Sequence, residues 1–153
     1  MLPTRMPTRI SSAIDAWVAA ANAPLTALAV VIGAATGARV RRDRHRTFVC
    51  EGGWLSDIGL SHAFATGNCV NVKADFADRL RDDDALLDHE WRHSVQWAVL
   101  GPARFTVLYA VSYFGSRAIA GNQCWNVFEW SAGFADGGYV DCAGLGRPST
   151  LTG

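Results

Sequence analysis

The chain has 153 residues, of which 50% are hydrophobic, 10% aromatic and 18% charged, and its 14 basic and 14 acidic residues cancel to a net charge of zero. This length fits one domain with a substantial core, and the composition excludes an intrinsically disordered chain. The neutral balance argues against a nucleic-acid-binding protein, which needs a surplus of basic residues to neutralise phosphates.

An uncharged segment, residues 16–38, lies near the start of the chain. It is long enough to cross a bilayer, but it is rich in Ala and Gly and contains Asn22 and Pro24. Five arginines follow within residues 39–46, and the positive-inside rule then places the rest of the chain on the cytoplasmic side. We therefore expect an N-terminal apolar helix and an Arg-rich connection over residues 1–46. The helix would either attach to a membrane or protein partner, or lie buried in a soluble core or oligomer.

Two short segments, residues 47–50 and 69–72, are rich in β-branched or aromatic residues and lie beside turn-forming glycines. We expect them to be strands of a small antiparallel sheet. The intervening residues 54–64 are expected to include a short helix.

The four cysteines contain no C-x-x-C pair, which argues against a cysteine zinc knuckle or a thioredoxin-like redox site. Buried, reduced side chains are the favoured interpretation. Disulfides remain the alternative, and the most local pairings would be Cys50 with Cys69 and Cys124 with Cys142.

The strongest helical pattern covers residues 83–100. Aspartates at its start favour capping and the helix dipole, and Gly101 followed by Pro102 is a typical stop signal. A second apolar helix is expected over residues 105–114, and a third within residues 126–138. The predicted fold class is therefore mainly helical α+β, with a small antiparallel sheet and an N-terminal apolar helix.

The predicted helix over residues 83–100 carries an H-E-x-x-H motif, His89-Glu90-Trp91-Arg92-His93. Residues four apart share one helical face, so both imidazoles can bind one cation, and zinc is the metal that this motif favours. Glu90 is placed to act as the general base toward a zinc-activated water.

A catalytic zinc site needs a third protein ligand. We favour Glu129, because its neighbours Phe128 and Trp130 indicate a partly buried setting in which a carboxylate needs a cation or hydrogen bonds. His62, in the segment before the second predicted strand, is the alternative ligand.

The stretch over residues 89–139 resembles the gluzincin group of zinc metallopeptidases. In that group H-E-x-x-H is followed by a helix that supplies a glutamate ligand in an E-x-x-A or E-x-x-D setting, which corresponds here to residues 129–132. The run HEWRHSVQW…LG…YAVSY…NVFEWSA is similar to small bacterial zincin-like proteins. The resemblance implies a minimal zincin-like metal-binding domain over residues 47–142. Residues 143–153, rich in Gly, Pro, Ser and Thr, are expected to form a flexible tail. It implies these site residues: His89, His93 and Glu129 as zinc ligands, and Glu90 as general base.

These observations predict a zinc-dependent metallopeptidase that acts on a peptide or protein substrate. The alternative is a non-catalytic subunit in which zinc staples two helices and the apolar helices dock to a partner or membrane. An open fourth coordination position would distinguish the enzyme from the staple.

Several residues are candidates for supporting roles at the site. Tyr139, Tyr109 or His62 could stabilise a developing oxyanion, and we place Tyr139 with Glu90 among the predicted catalytic residues. Asp136 or Asp88 could orient a ligand imidazole.

Overall fold

The computed structural model describes residues 8–139 and residue 142. The chain divides into two compact units, an N-terminal unit up to Ala77 and a C-terminal unit from Asp78 onward. The first unit contains a small sheet and several helices, and the second contains helices. The mainly helical α+β fold class is confirmed. The expected flexible tail, residues 143–153, lies outside the described residues.

The apolar N-terminal segment forms two helices, α1 (Thr8–Ala21) and α2 (Ala23–Ala35), where the sequence predicted one. They meet at Asn22 with a bend of 72°. Pro24 stands in the first turn of α2, where its missing N–H costs nothing, whereas within a continuous helix it would break the hydrogen bonding.

The bent helix pair also bears on the membrane question. Within the described part of the chain, no single helix is long and apolar enough to cross a membrane, while the bent pair α1 and α2 passes by length and composition. Attachment to a membrane or partner through residues 16–38 stays a prediction.

The N-terminal unit contains a four-stranded sheet with strand order β1-β2-β4-β3. Its strands are β1 (Arg39–Arg42), β2 (Phe48–Glu51), β3 (Ala63–Thr66) and β4 (Cys69–Val72). The two predicted strands are confirmed as β2 and β4, and the short helix as α3 (Trp54–Ile58).

The sheet is mixed, so the expectation of an antiparallel sheet is wrong for its central pair. The strands β2 and β4 run parallel, while the pairs β1–β2 and β3–β4 are antiparallel. The reason is the unpredicted strand β3, which forms a hairpin with β4 through Gly67 and Asn68 and so reverses the chain before β4. Gly67 has φ +62°, a conformation that glycine adopts without strain. The Arg-rich connection likewise contains the edge strand β1.

The core of the N-terminal unit lies between α2 and the sheet. Val49, Val70 and Val72 are fully buried. Helix α2 approaches the sheet closely at Gly33, where an added Cβ would lie 3.1 Å from Cys50 Sγ. The small residues of the apolar segment therefore serve helix-on-sheet packing.

Helix α4 (Ala77–Asp82) begins at the last residue of the N-terminal unit, and the C-terminal unit continues with α5 (Asp84–Leu100), α6 (Pro102–Ala120) and α7 (Val127–Ala132). The predicted start and stop of α5 are confirmed, because the Asp83 side chain accepts hydrogen bonds from the first-turn N–H groups and Gly101 ends the helix at φ +75°. Helix α6 is longer than the predicted 105–114, and α7 ends at Ala132 because Gly133 takes φ +98°.

Aromatic contacts join the helices of the C-terminal unit. The ring centroids of Trp97 in α5 and Phe105 in α6 are 4.4 Å apart, and those of Phe105 and Phe128 in α7 are 5.3 Å apart. The ring centroids of His93 in α5 and Tyr109 in α6 are 6.1 Å apart, so earlier residues of α5 lie against later residues of α6. These two helices therefore form an antiparallel hairpin, against which α7 packs.

One pair of cysteines forms a disulfide, and the other pair is free and buried. Cys124 and Cys142 form a disulfide, so the expectation that all four are reduced is wrong for this pair. Cys50 and Cys69 are free and buried, as expected.

Candidate metal centre

Three buried side chains of the C-terminal unit converge on one point. The Nε2 atoms of His89 and His93 lie 3.2 Å apart, and Glu129 Oε2 lies 3.1 Å from His89 Nε2 and 3.4 Å from His93 Nε2. A tetrahedral ion with ligands at about 2.0–2.1 Å keeps its ligand atoms roughly 3.3 Å apart. The buried His89–His93–Glu129 group could therefore hold a metal ion.

The two histidines owe their position to α5. They lie four residues apart, so their rings project from the same face of the helix. His89 is 2% and His93 6% exposed, and both lie on the side of α5 that meets α6 and α7.

Glu129 owes its position to the start of α7. The buried Asn126 caps this helix, since its Oδ1 accepts a hydrogen bond from the Phe128 N–H and another from the Ser112 hydroxyl of α6. The cap fixes the first turn of α7 against α6 and directs Glu129 toward the histidines.

Each imidazole has a hydrogen-bond partner that sets its tautomer. His89 Nδ1 donates to the carbonyl oxygen of Gly133 at 3.0 Å, since a carbonyl can only accept. His93 Nδ1 lies 2.8 Å from Gln96 Oε1, and the Gln96 amide group donates to Phe128 O and Ser131 Oγ. With Nδ1 protonated, both Nε2 lone pairs face the shared point, as metal ligation requires.

The carboxylate of Glu129 is held at its other oxygen. The Tyr109 hydroxyl donates to Glu129 Oε1 at 2.5 Å, which leaves Oε2 directed toward the histidines. Burial and the neighbouring Glu129 charge raise the pKa of Tyr109, so this hydroxyl keeps its proton and remains a donor.

The electrostatics of the group favour a positive charge at its centre. Burial alone would raise the pKa of the Glu129 carboxyl, but hydrogen bonds and charge from His89 and His93 hold it well below its usual range. Burial alone would lower the pKa of His93, but Glu129 and the charge of Glu90 raise it to about 9. The buried carboxylate therefore favours a cation at this point, either a proton on His93 or a bound metal ion.

The predicted catalytic residues lie beside the group. Glu90 is 4% exposed, and its charge contributes to the raised pKa values of His93 and Tyr139. The rings of Tyr139 and His89 have centroids 6.2 Å apart. Burial, followed by the charge of Glu129, raises the pKa of Tyr139, so its hydroxyl also stays protonated.

The turn after α7 covers the ring of His89. An added Cβ at Gly137 would lie 2.5 Å from His89 Cε1 and 2.8 Å from His89 Nε2, so this position requires glycine. Arg92 Nη1 donates to Ala132 O and to Asp136 Oδ2, both at 2.5 Å, and ties the turn to α5.

Other candidates from the sequence lie elsewhere. The ring of His62 stacks on Phe76 in the N-terminal unit at 5.0 Å, and His62 is not in the metal-binding group. Asp136 pairs with Arg92 rather than with a ligand imidazole. The imidazole partners are instead the Gln96 side chain and the Gly133 carbonyl oxygen. Sequence reasoning could have identified Gln96, because it lies three positions after His93 on the same helical face.

The hydrogen bond from His93 to Gln96 gives a testable consequence. Gln96→Ala is expected to weaken zinc binding about 10- to 100-fold, because the ring of His93 loses the partner that fixes its tautomer. Competition with a chromophoric chelator measures the change. Ser131→Ala is the control, since it removes a Gln96 contact that does not involve His93, and it should change the affinity less than about threefold. Equal effects of the two substitutions would contradict this role of Gln96.

No protein-family model, curated protein or solved structure matches the chain. The resemblance to gluzincins stays a prediction.

Proposed function

We propose that the chain is a zinc-dependent hydrolase that cleaves peptide bonds. The observation that carries this proposal is the convergence of His89 Nε2, His93 Nε2 and Glu129 Oε2, with Glu90 following the first histidine on α5. Two imidazoles and one carboxylate are a typical ligand set of catalytic zinc, which leaves a fourth position for water or substrate.

Zinc suits this donor set better than magnesium or calcium does. Two neutral imidazoles are poor ligands for magnesium and calcium, which prefer six or more oxygen atoms. When bound, zinc supplies Lewis acidity, which lowers the pKa of water to near 7 and polarises a carbonyl group.

The chain's own residues would perform the proton transfers. Glu90 would accept the proton from the attacking water and pass it to the amine that leaves when the peptide bond breaks. Tyr139 stays protonated beside the ligands, and its hydroxyl would exchange its hydrogen bond with Glu129 for one to the oxyanion that forms on the carbonyl. Tyr109 already donates to Glu129, which gives it a positioning role instead.

Glu90→Gln tests this proposal. The substitution keeps the shape of the side chain but removes the proton acceptor, so zinc affinity should stay within a few-fold while hydrolysis falls about 100-fold or more. The probe is a mixture of internally quenched peptides with every residue type at the central position, added to the zinc-loaded full chain. Asp84→Asn, the same chemical change at an exposed position of α5, serves as the control.

The outcomes separate the proposal from its alternatives. Loss of cleavage in Glu90→Gln, with Asp84→Asn unchanged, supports a general base at Glu90. Cleavage at the wild-type rate by Glu90→Gln contradicts it.

One observation favours the second function, a zinc staple without catalysis. His89, His93, Glu129 and Glu90 are each less than a tenth exposed, and the turn carrying Gly137 lies against the ring of His89. A sealed structural site has this character. Zinc-loaded wild type that binds the metal tightly and cleaves none of the quenched peptides would support the staple.

A further inference from the structure

The sheet of the N-terminal unit contains a cysteine pair that the metal centre does not use. Cys50 in β2 and Cys69 in β4 are fully buried, and their Sγ atoms lie 3.3 Å apart. In the parallel register Phe48 is paired with Cys69, so Cys50 lies two residues farther along its strand and shares the same face of the sheet. The two sulfur atoms therefore face each other between neighbouring strands.

The surroundings of the pair are apolar. Cys50 and Cys69 cluster with Ala29, and these hydrophobic residues pack around them: Val30, Ala38, Val40, Phe48 and Leu55. The hydrogen bond that the Cys69 thiol donates to Cys50 Sγ, together with burial, raises the pKa of Cys69. Such a thiol is a poor nucleophile and a poor metal ligand, because both roles need the thiolate. Over the described residues, the group that could hold a metal ion is His89–His93–Glu129 and does not include these cysteines.

We propose that Cys50 and Cys69 form a second structural disulfide as the chain folds. The covalent S–S distance is about 2.05 Å, so closing the bond brings the sulfur atoms about 1.3 Å closer together. Because the two residues are offset by two positions on neighbouring strands, the backbone of β2 and β4 must shift as well. Cys124 and Cys142 already form a disulfide, and conditions that oxidise that pair also supply an oxidant for this one.

The reaction is a thiol–disulfide exchange with a small-molecule or protein disulfide as oxidant. One cysteine thiolate attacks the oxidant's disulfide, forms a mixed disulfide and releases one oxidant thiol. The second cysteine thiolate then displaces the other oxidant thiol and closes the Cys50–Cys69 bond. The two cysteines lose two protons and two electrons in total, and the oxidant is reduced to two thiols. Because both sulfur atoms are buried in the folded sheet, the exchange takes place before β2 and β4 have closed.

The cross-link joins the two parallel strands at the centre of the sheet. It closes a loop that contains α3 and β3, restricts the unfolded chain and so stabilises the N-terminal unit. Structural disulfides persist in oxidising surroundings, so two of them favour folding where a disulfide donor is present, in contrast to the expected cytoplasmic location.

Peptide mapping of the refolded full chain tests the proposal. The reduced, denatured protein is refolded with an excess of oxidised over reduced glutathione, quenched in acid, alkylated with iodoacetamide in denaturant and digested with trypsin. Both cysteines lie in one tryptic peptide, residues 47–73, which contains no internal Lys or Arg. We expect this peptide without alkylation and about 2 Da lighter than its reduced form. Chymotryptic cleavage after Trp54 should then give two peptides that stay joined until a reductant is added.

A matched variant and an internal reference complete the experiment. In Cys69→Ala, Cys50 has lost its partner and should be alkylated, which shows that the reagent reaches this position in denaturant. The Cys124–Cys142 bond reports that oxidation took place. Refolding is continued until the Cys124–Cys142 bond has formed, and two alkylated cysteines in peptide 47–73 at that point would overturn the proposal. A cross-link from Cys50 or Cys69 to Cys124 or Cys142 would also overturn it.

Discussion

Removal of the metal is expected to lower the Tm of the zinc-loaded protein by on the order of 15 °C. A ligand that binds only the folded state at 1,000 times its Kd contributes about 4 kcal/mol of stability, and each kcal/mol shifts the Tm of a chain of about 150 residues by about 2–4 °C. The effect should be large here, because without the metal only protons on the imidazoles offset the buried charge of Glu129.

Thermal unfolding with and without a chelator measures this effect. Tryptophan fluorescence reports on the C-terminal unit, which contains four of the six tryptophans, namely Trp91, Trp97, Trp125 and Trp130. The Tm of Glu129→Gln should not respond to the chelator, because that variant binds little metal. A zinc-loaded wild type whose Tm is the same before and after chelation would contradict a metal centre that links α5 to α7.

Glu129→Gln is expected to weaken zinc binding by more than about 100-fold, which exceeds the usual effect of losing a hydrogen-bond partner of a ligand. The amide keeps the shape of the side chain, so the fold should be retained. It removes the negative charge and substitutes a weak neutral ligand for the carboxylate oxygen that lies 3.1 Å from His89 Nε2.

Tyr109→Phe is the matched control for this substitution. It leaves the Glu129 carboxylate in place and removes only the hydroxyl that donates to Oε1, so zinc affinity should fall about 10-fold. Competition titrations of the three proteins against one chelator give the ranking. A larger loss in Tyr109→Phe than in Glu129→Gln would mean that Glu129 is not a ligand.

Local signals explain which parts of the protein were predictable. The limits of α5 follow from Asp83, which caps the first turn, and from Gly101, which adopts φ +75°. The pairing of His89 with His93 follows from helical spacing alone. Glu129 was identifiable because a carboxylate between Phe128 and Trp130 needs a buried partner.

The unpredicted parts depend on contacts between distant segments. The carbonyl oxygen that orients His89 belongs to Gly133, 44 residues away, and a backbone carbonyl has no sequence signature. The hydroxyl that holds Glu129 comes from Tyr109 on another helix. The parallel pairing of β2 with β4 could not be predicted, because the intervening strand β3 lies in a segment whose helical and turn-forming residues do not indicate a strand.

X-ray absorption spectroscopy at the zinc edge tests the central claim most directly, using the full chain loaded with one equivalent of zinc after removal of excess metal. The account predicts about one tightly held zinc per chain, with two imidazole ligands and oxygen ligands at about 2.0–2.2 Å and no sulfur. In Glu129→Gln, zinc content should fall sharply under the same loading conditions. Wild type that retains no zinc, or zinc bound to sulfur at about 2.3 Å, would contradict a centre formed by His89, His93 and Glu129.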